Sequence, residues 1–375
     1  MKKFIFIPDS FKGSLSSARA CQLMQQAVEK ECPGADCISI PVADGGEGTV
    51  DAFLAAVGGQ KMPMEVTGPW GEKTQAYWGL LSEKTGVVEM AAAAGLPLVG
   101  DQKNPEKTTT YGVGEMIADA LDHGVTEIIL GLGGSATNDG GCGAAAAMGV
   151  KFLDESGNAF IPVGETLKNI AKIDVSAARE KLAGKKLRIM CDIDNPLCGP
   201  QGAAAVFGPQ KGADAEMVKR LDEGLSHFAK IAARDAGIDV LNLPGAGAAG
   251  GMGGGMAALL KGELQMGIET VLDVTGFDAL LDGASAVFTG EGKIDGQSLR
   301  GKVVIGVARR TKKQNILCIA LVGGAEGPMD DAYAQGVTAI VPVCRRPMSL
   351  KEAMENAETN LYSAMRDTLR LLGAK

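Results

Sequence analysis

The run Phe4–Ile7 is short and wholly apolar, and predicts a buried strand. After it, Ala20, Leu23, Met24, Ala27 and Val28 recur three or four apart, the spacing of one helix face. Cys37–Val42 predicts a second strand, and Val50, Phe53, Leu54 and Val57 mark a second helix that Gly58-Gly59 stops. The same rhythm returns near the end: Ala286–Thr289, Leu317–Val322 and Val337–Val341 read as strands, 302–312 and 350–372 as helices. Between these stretches lie Val87–Met90, Glu127–Leu130, Val150–Leu153 and Leu187–Cys191 as strands, with helices over 111–123, after Gly141 and over 215–234.

Strands alternating with helices imply a parallel sheet covered on both faces. The fold class expected is therefore α/β: a Rossmann-like, doubly wound parallel sheet over 1–59 and 284–375, interrupted by a second, inserted α/β domain over 60–283. A chain of 375 residues is long enough for two cores.

Composition narrows the chemistry. The 53 glycines, about twice the usual roughly 7 %, cluster at the ends of apolar runs, as turns and ligand loops do. Net charge is −8 with Lys and Arg scattered, so there is no nucleic-acid footprint. An anionic substrate would need local positive charge. The eight cysteines lack CxxC spacing and sit mostly in apolar runs, the habit of reduced buried thiols. The first apolar stretch is too short for a signal sequence or a membrane span, and the expectation is a cytoplasmic protein without membrane partners. Only two histidines occur, and both His123 and His227 fall within predicted helices. Carboxylates and lysines must then carry any catalysis.

In open α/β sheets, ligands sit outside the carboxyl ends of the strands. The segments there are Asp9-Ser10-Phe11-Lys12-Gly13-Ser14, Asp44-Gly45-Gly46-Glu47-Gly48-Thr49, Asp192-Ile193-Asp194-Asn195 and Gly290-Glu291-Gly292-Lys293-Ile294-Asp295. Ser14, Ser16 and Thr49 are equally explained as helix caps, and Asp192 and Asp194 as a turn ahead of Pro196. Capping does not explain Lys12, a cation placed just before a helix whose dipole disfavours it unless an anion is present.

Six glycines crowd Gly131–Gly143, between a predicted strand and a predicted helix. Gly131-Leu-Gly133-Gly134-Ser135-Ala136 fits GxGxxA, with Asp154 about where a ribose-binding acid belongs. Gly140, Gly141 and Gly143 fall where that reading needs helix, so the helix is expected after them, with Ser135, Thr137, Asn138 and Asp139 lining an anion loop. Gly296–Lys302 resembles a P-loop but has Val303 where Ser or Thr should bind magnesium. Gly245–Gly255 contains GxGxxG in poor flanks.

Taken together, PDSFKGS at 8–14, ADGGEGT at 43–49, TTYGVGE at 109–115, GLGGSATNDGG at 131–141, CDIDNPL at 191–197, FGPQKGA at 207–213 and TGEGKIDGQSLRGK at 289–302 resemble the bacterial glycerate kinases that make 2-phosphoglycerate. The resemblance implies ATP and D-glycerate as small-molecule substrates, Mg²⁺ as cofactor, attack through the 2-hydroxyl and a cleft between two domains. It leaves the oligomeric state open. Phosphoryl transfer needs a phosphate cradle, a metal on carboxylates, cations and a carboxylate to orient the hydroxyl. On position, Asp192 is expected to orient or deprotonate that hydroxyl and Lys12 to stabilise charge on the phosphoryl group or the substrate carboxylate. Asp9, Ser10, Gly133, Gly134, Ser135, Asn138, Asp139, Lys211, Lys293 and Lys302 are expected to bind substrate or nucleotide, and Asp44, Glu47, Glu291 and Asp295 the metal. A nicotinamide-dependent dehydrogenase and a noncatalytic sugar-acid binder remain the alternatives; the first should alter nicotinamide absorbance, the second should bind glycerate without ATP dependence.

Overall fold

The computed structural model describes residues 2–43, 45–296 and 298–373, with the side chain of Arg300 also outside the description. Among these residues the strands, in chain order, are β1 (Lys3–Pro8), β2 (Asp36–Ser39), β3 (Gln60–Thr67), β4 (Lys73–Leu80), β5 (Thr85–Glu89), β6 (Glu127–Gly131) and β7 (Lys151–Leu153). They continue with β8 (Ala159–Phe160), β9 (Lys172–Asp174), β10 (Lys186–Met190), β11 (Glu263–Gln265), β12 (Ala286–Glu291), β13 (Cys318–Val322) and β14 (Ala339–Pro342). The chain divides into two compact units, residues 1–43, 55–58 and 266–375 in the first and 44–54 and 59–265 in the second.

The first unit is built on a parallel sheet in the order β14-β13-β12-β1-β2. This is the doubly wound arrangement expected, in its 2-1-3-4-5 form, and it puts a topological switch point between β1 and β12. Helices Ser17–Glu31 and Ala357–Leu371 pack together, and Leu23, Met24, Leu361 and Met365 join Phe4, Phe6 and Phe288 in one core. Helix Val303–Lys313 packs on β1, β12 and β13. Ser16 starts the first helix, its Oγ accepting from the Arg19 N–H at 3.2 Å. Ser14 does not cap: its hydroxyl donates to Phe11 O. The last predicted helix is two, Leu350–Glu355 and Ala357–Leu371, the former opened by a Ser349/Glu352 capping box.

In the second unit, β11, β10, β6 and β5 run parallel, and β4 and β3 complete the sheet as an antiparallel hairpin. Pro63 is tolerated because β3 is the edge strand. Trp78 of β4 is fully buried, and its indole N–H donates to Asp119 at 2.7 Å. Val150–Leu153 is not a strand of this sheet as the alternation suggested. It becomes β7 of a separate antiparallel sheet, β8-β7-β9, where a short hairpin brings β8 against it and β9 pairs on its other edge.

Candidate functional site

Two clusters of candidate side chains form, each within one unit. In the first unit, the loops after β1 and β12 meet at the switch point: Pro8 is in register with Gly290, and the Asp9 N–H donates to Gly290 O at 2.8 Å. Gly290 must be glycine, since a Cβ there would lie 2.1 Å from Leu321 O. Asp9 accepts from the Ser10 N–H at 2.6 Å, and Ser10 and Lys12 are exposed.

Glu291, at the end of β12, is buried. Its Oε2 accepts from the Ser298 hydroxyl at 3.1 Å, and its Oε1 is buried without a hydrogen-bond partner. Burial above all, with the negative charges of Asp9 and Asp295, raises the Glu291 carboxyl to about 7, against the Ser298 hydrogen bond and Lys302. Asp295 and Ser298 exchange backbone-to-side-chain hydrogen bonds at 3.3 Å, and Lys293 is exposed and paired with Glu326 and Asp295. Lys302 is the N-cap of helix Val303–Lys313. The structure thus gathers Asp9, Glu291, Asp295 and Lys302 at one sheet edge.

In the second unit, the loops after β5, β6 and β10 share the carboxyl edge, since Glu89 and Met190 are both in register with Gly131. Gly133 N–H donates to Gly45 O at 2.8 Å, and Cβ atoms on Gly131 or Gly133 would strike residues 45 and 46 at about 2.5 Å. Asp44 lies outside the described residues; Glu47 is exposed. Glu89 was passed over in the sequence. It is buried, and it accepts from the N–H groups of Gly48 and Val50 at the start of helix Thr49–Val57, tethering the 45–49 loop. An acid closing an apolar strand, as in Val87-Val88-Glu89, was the available signal. Thr49 does not cap through its side chain, which donates to Gly46 O.

The crowded glycines serve chain packing first. Helix Cys142–Ala147 begins after Gly141, which is left-handed at φ 72°. A Cβ on Gly255 would stand 1.8 Å from Gly140 O, and one on Gly250 2.0 Å from Thr137 O. So Gly245–Gly255 is a packing partner of the 131–143 loop. The helix N-terminus is filled by the protein's own anion: Asp139, fully buried, accepts from Gly141 N–H, Gly143 N–H, Thr110 N–H and Thr110 Oγ1 at 2.7–3.2 Å. Burial nonetheless raises its carboxyl, and these bonds oppose the rise.

Beside Asp139 lies Lys211, 2 % exposed, whose ammonium donates to Ser135 Oγ and Thr137 O at 2.7 Å each. Burial lowers it to about 7, and Asp139 works in the opposite direction. Asn138 is fully buried, and neither its amide nitrogen nor its oxygen has a hydrogen-bond partner. Gly133 is half-buried and Gly134 exposed. Asp192 is half-buried beyond β10, next to Cys191, whose thiol donates to Ile193 O.

Asp154 does not follow the parallel sheet. It accepts from Ser156 and Asn158 N–H in the β7–β8 hairpin, which removes the ribose-binding acid from the dehydrogenase reading. His123 contacts Asp119 O and the Trp78 ring, and His227 contacts Ile170 O, so both are structural. All eight cysteines are free thiols. Among the described residues, no three His, Cys, Asp or Glu are grouped to hold a metal ion, and no helix is long and apolar enough to cross a membrane.

Residues 4–373 match the family model of the Glycerate kinase family. The sequence is 45 % identical to a glycerate kinase of Haemophilus influenzae, over 100 % of this chain and 99 % of the relative. It is 42 % identical to the glycerate 2-kinase of Escherichia coli, over 97 % and 96 %. A crystal structure from Salmonella typhimurium LT2, assigned as glycerate kinase 2, superposes with a TM-score of 0.85 at 42 % identity, covering 100 % of this chain and 98 % of that one.

Proposed function

The chain belongs to the glycerate kinase family, and from that premise we propose that it phosphorylates D-glycerate at the 2-hydroxyl with ATP, releasing 2-phosphoglycerate and ADP. The observation that carries the reading is the switch point of the first unit. Asp9, Glu291, Asp295 and Lys302 gather there, where doubly wound sheets bind nucleotides. Acidic groups, a lysine and no histidine suit phosphoryl transfer, which relies on positioning and electrostatics and needs no protein nucleophile.

Mg²⁺ is implied by this reading. In nucleotide sites it takes one or two protein carboxylates and completes its shell with phosphate oxygens and water. The buried, unpartnered Oε1 of Glu291 beside Asp295 and Asp9 fits such a partial set, so no three-carboxylate cage is required. Glu291 and Asp295 are the residues that would hold the ion, with Asp44 and Glu47 as the second unit's candidates. When bound, the ion would neutralise charge developing on the phosphates. Lys12 and Lys302 would add cationic charge at the same edge, with Ser10 at the mouth, while Lys293 is engaged by acids. Asp192 would orient the attacking hydroxyl or accept its proton. Its support is position, beyond the carboxyl end of β10 and beside the Gly133–Ser135 loop's strand.

The test is a coupled ADP-release assay across small hydroxy acids with Mg-ATP, followed by phosphorus NMR of the product. Turnover with D-glycerate and a 2-phosphate signal are expected. A folded sample without ADP release refutes the kinase reading; a 3-phosphate refutes the choice of hydroxyl.

A further inference from the structure

Two groups of buried polar atoms in the second unit have no structural use that accounts for them. Ser135, Thr137, Asn138 and Lys211 are each less than 7 % exposed, yet Thr137 Oγ1 and both side-chain polar atoms of Asn138 lack hydrogen-bond partners. Leaving a buried donor or acceptor unpaired costs roughly 1–3 kcal/mol apiece, and folded proteins rarely do so without a ligand or water to fill the place. Next to these atoms the Lys211 ammonium has two neutral acceptors, Ser135 Oγ and Thr137 O, where an ammonium can donate three bonds. Asp139 cannot serve as its hydrogen-bonded counter-ion at full strength, because four donors already occupy that carboxylate.

From this we infer that Ser135, Asn138 and Lys211 form the subsite for the hydroxy-acid substrate, with the carboxylate on Lys211 and the Asn138 amide N–H. The 3-hydroxyl of D-glycerate donates to Asn138 Oδ1, which leaves the attacking 2-hydroxyl to Asp192. The inference rests on the glycerate kinase reading and assigns the acceptor substrate to the second unit's loop.

The chemistry selects this ligand over a nucleotide phosphate. Asn138 presents an acceptor as well as a donor, and phosphate oxygens at neutral pH offer acceptors only. D-Glycerate supplies an anion and, besides the attacking 2-hydroxyl, a second O–H on C3. Ser135, accepting from Lys211, keeps its own O–H to donate to the carboxylate. The backbone N–H groups of Gly141 and Gly143, which the glycine-rich pattern suggested for an anion, are spent on Asp139. Side chains therefore do the recognising. Gly134, the neighbour of Ser135, is exposed.

The experiment measures binding separately from turnover. D-Glycerate and ATP are titrated calorimetrically, each alone, into the parent protein, Asn138→Ala and Lys211→Met, and thermal unfolding is followed with and without D-glycerate. Asn138→Ala should weaken D-glycerate at least tenfold, leave ATP within twofold and abolish the upward shift in Tm that D-glycerate gives the parent. Its own ligand-free Tm should not fall, since the amide it loses had no partner. Glyceramide, which replaces the carboxylate by an amide, should bind the unmodified protein at least tenfold more weakly than D-glycerate; this arm stands even if a variant fails to fold. Undiminished D-glycerate binding by Asn138→Ala, equal binding of glyceramide, or loss of ATP binding with D-glycerate retained would each overturn the assignment. Failure of the kinase reading is a different result: D-glycerate binds as described, and no ADP appears.

Discussion

Glu291→Gln separates the energetic cost of the switch-point carboxylate from its use. In the folded chain the Glu291 carboxyl is raised from 4.5 to about 7, chiefly by burial and further by Asp9 and Asp295, against Ser298 and Lys302. A tenfold change in proton affinity is worth about 1.4 kcal/mol, so the rise corresponds to roughly 3 kcal/mol. The native state binds this proton more tightly than the unfolded chain. Its contribution to stability is therefore fully present below about pH 4.5, is lost as pH rises to about 7 and stays lost above. Glutamine mimics the protonated form and can still accept from the Ser298 hydroxyl. Urea unfolding of the ligand-free protein, followed by circular dichroism from pH 5 to 8.5, should show the parent losing stability relative to the variant as pH rises. At pH 8 the variant should be the more stable by an amount approaching 3 kcal/mol, and it should have little kinase activity, the trade-off expected where a site stores unfavourable charge. Parallel pH profiles, or a variant less stable at pH 8, would show that Glu291 ionises in the fold at little cost.

Asp192→Asn should lower kcat about 10²–10⁴-fold with the circular dichroism spectrum unchanged, as for a positioned acid–base group, and near-parental kcat/KM would remove Asp192 from that role. Lys12→Ala, at an exposed position, should leave Tm unchanged while reducing kcat/KM; an unaltered kcat/KM would exclude it from the site. Asp139→Ala strands several buried donors and should cost at least roughly 3 kcal/mol, read as a lower urea midpoint and lost hydrogen-exchange protection at Gly141 and Gly143. Gly255→Ala forces a Cβ against Gly140 O and should destabilise by about 1–3 kcal/mol or more, whereas Gly324→Ala, with open space around it, should stay within about 0.5 kcal/mol.

What the sequence determined by itself is local. The apolar runs that became β1, β5, β6, β10, β12 and β13, the Ser16 cap and the helix stop at Gly58 each depend on neighbours a few residues away, so their period and end signals are written in the chain. The motif loops were legible for the same reason, since a ligand loop in an α/β sheet follows a strand's carboxyl end. Strand partnership was not. The 60–67 and 73–80 segments carry an alternating pattern, yet only pairing beside β5 makes them the edge hairpin of a mixed sheet, and 151–153 left the main sheet for its own hairpin. The packing of the glycine loop was likewise decided in three dimensions. Sequence marks Gly140 and Gly255 as permissive, but their need for the missing Cβ arises only when segments more than a hundred residues apart touch. Asp139 reads as an anion-loop residue until the fold turns Thr110, Gly141 and Gly143 toward it, and Lys211 reads as a binding lysine whose burial beside Ser135 and Thr137 only the fold reveals. Desolvation is a property of everything packed around a group, and no window of sequence contains it.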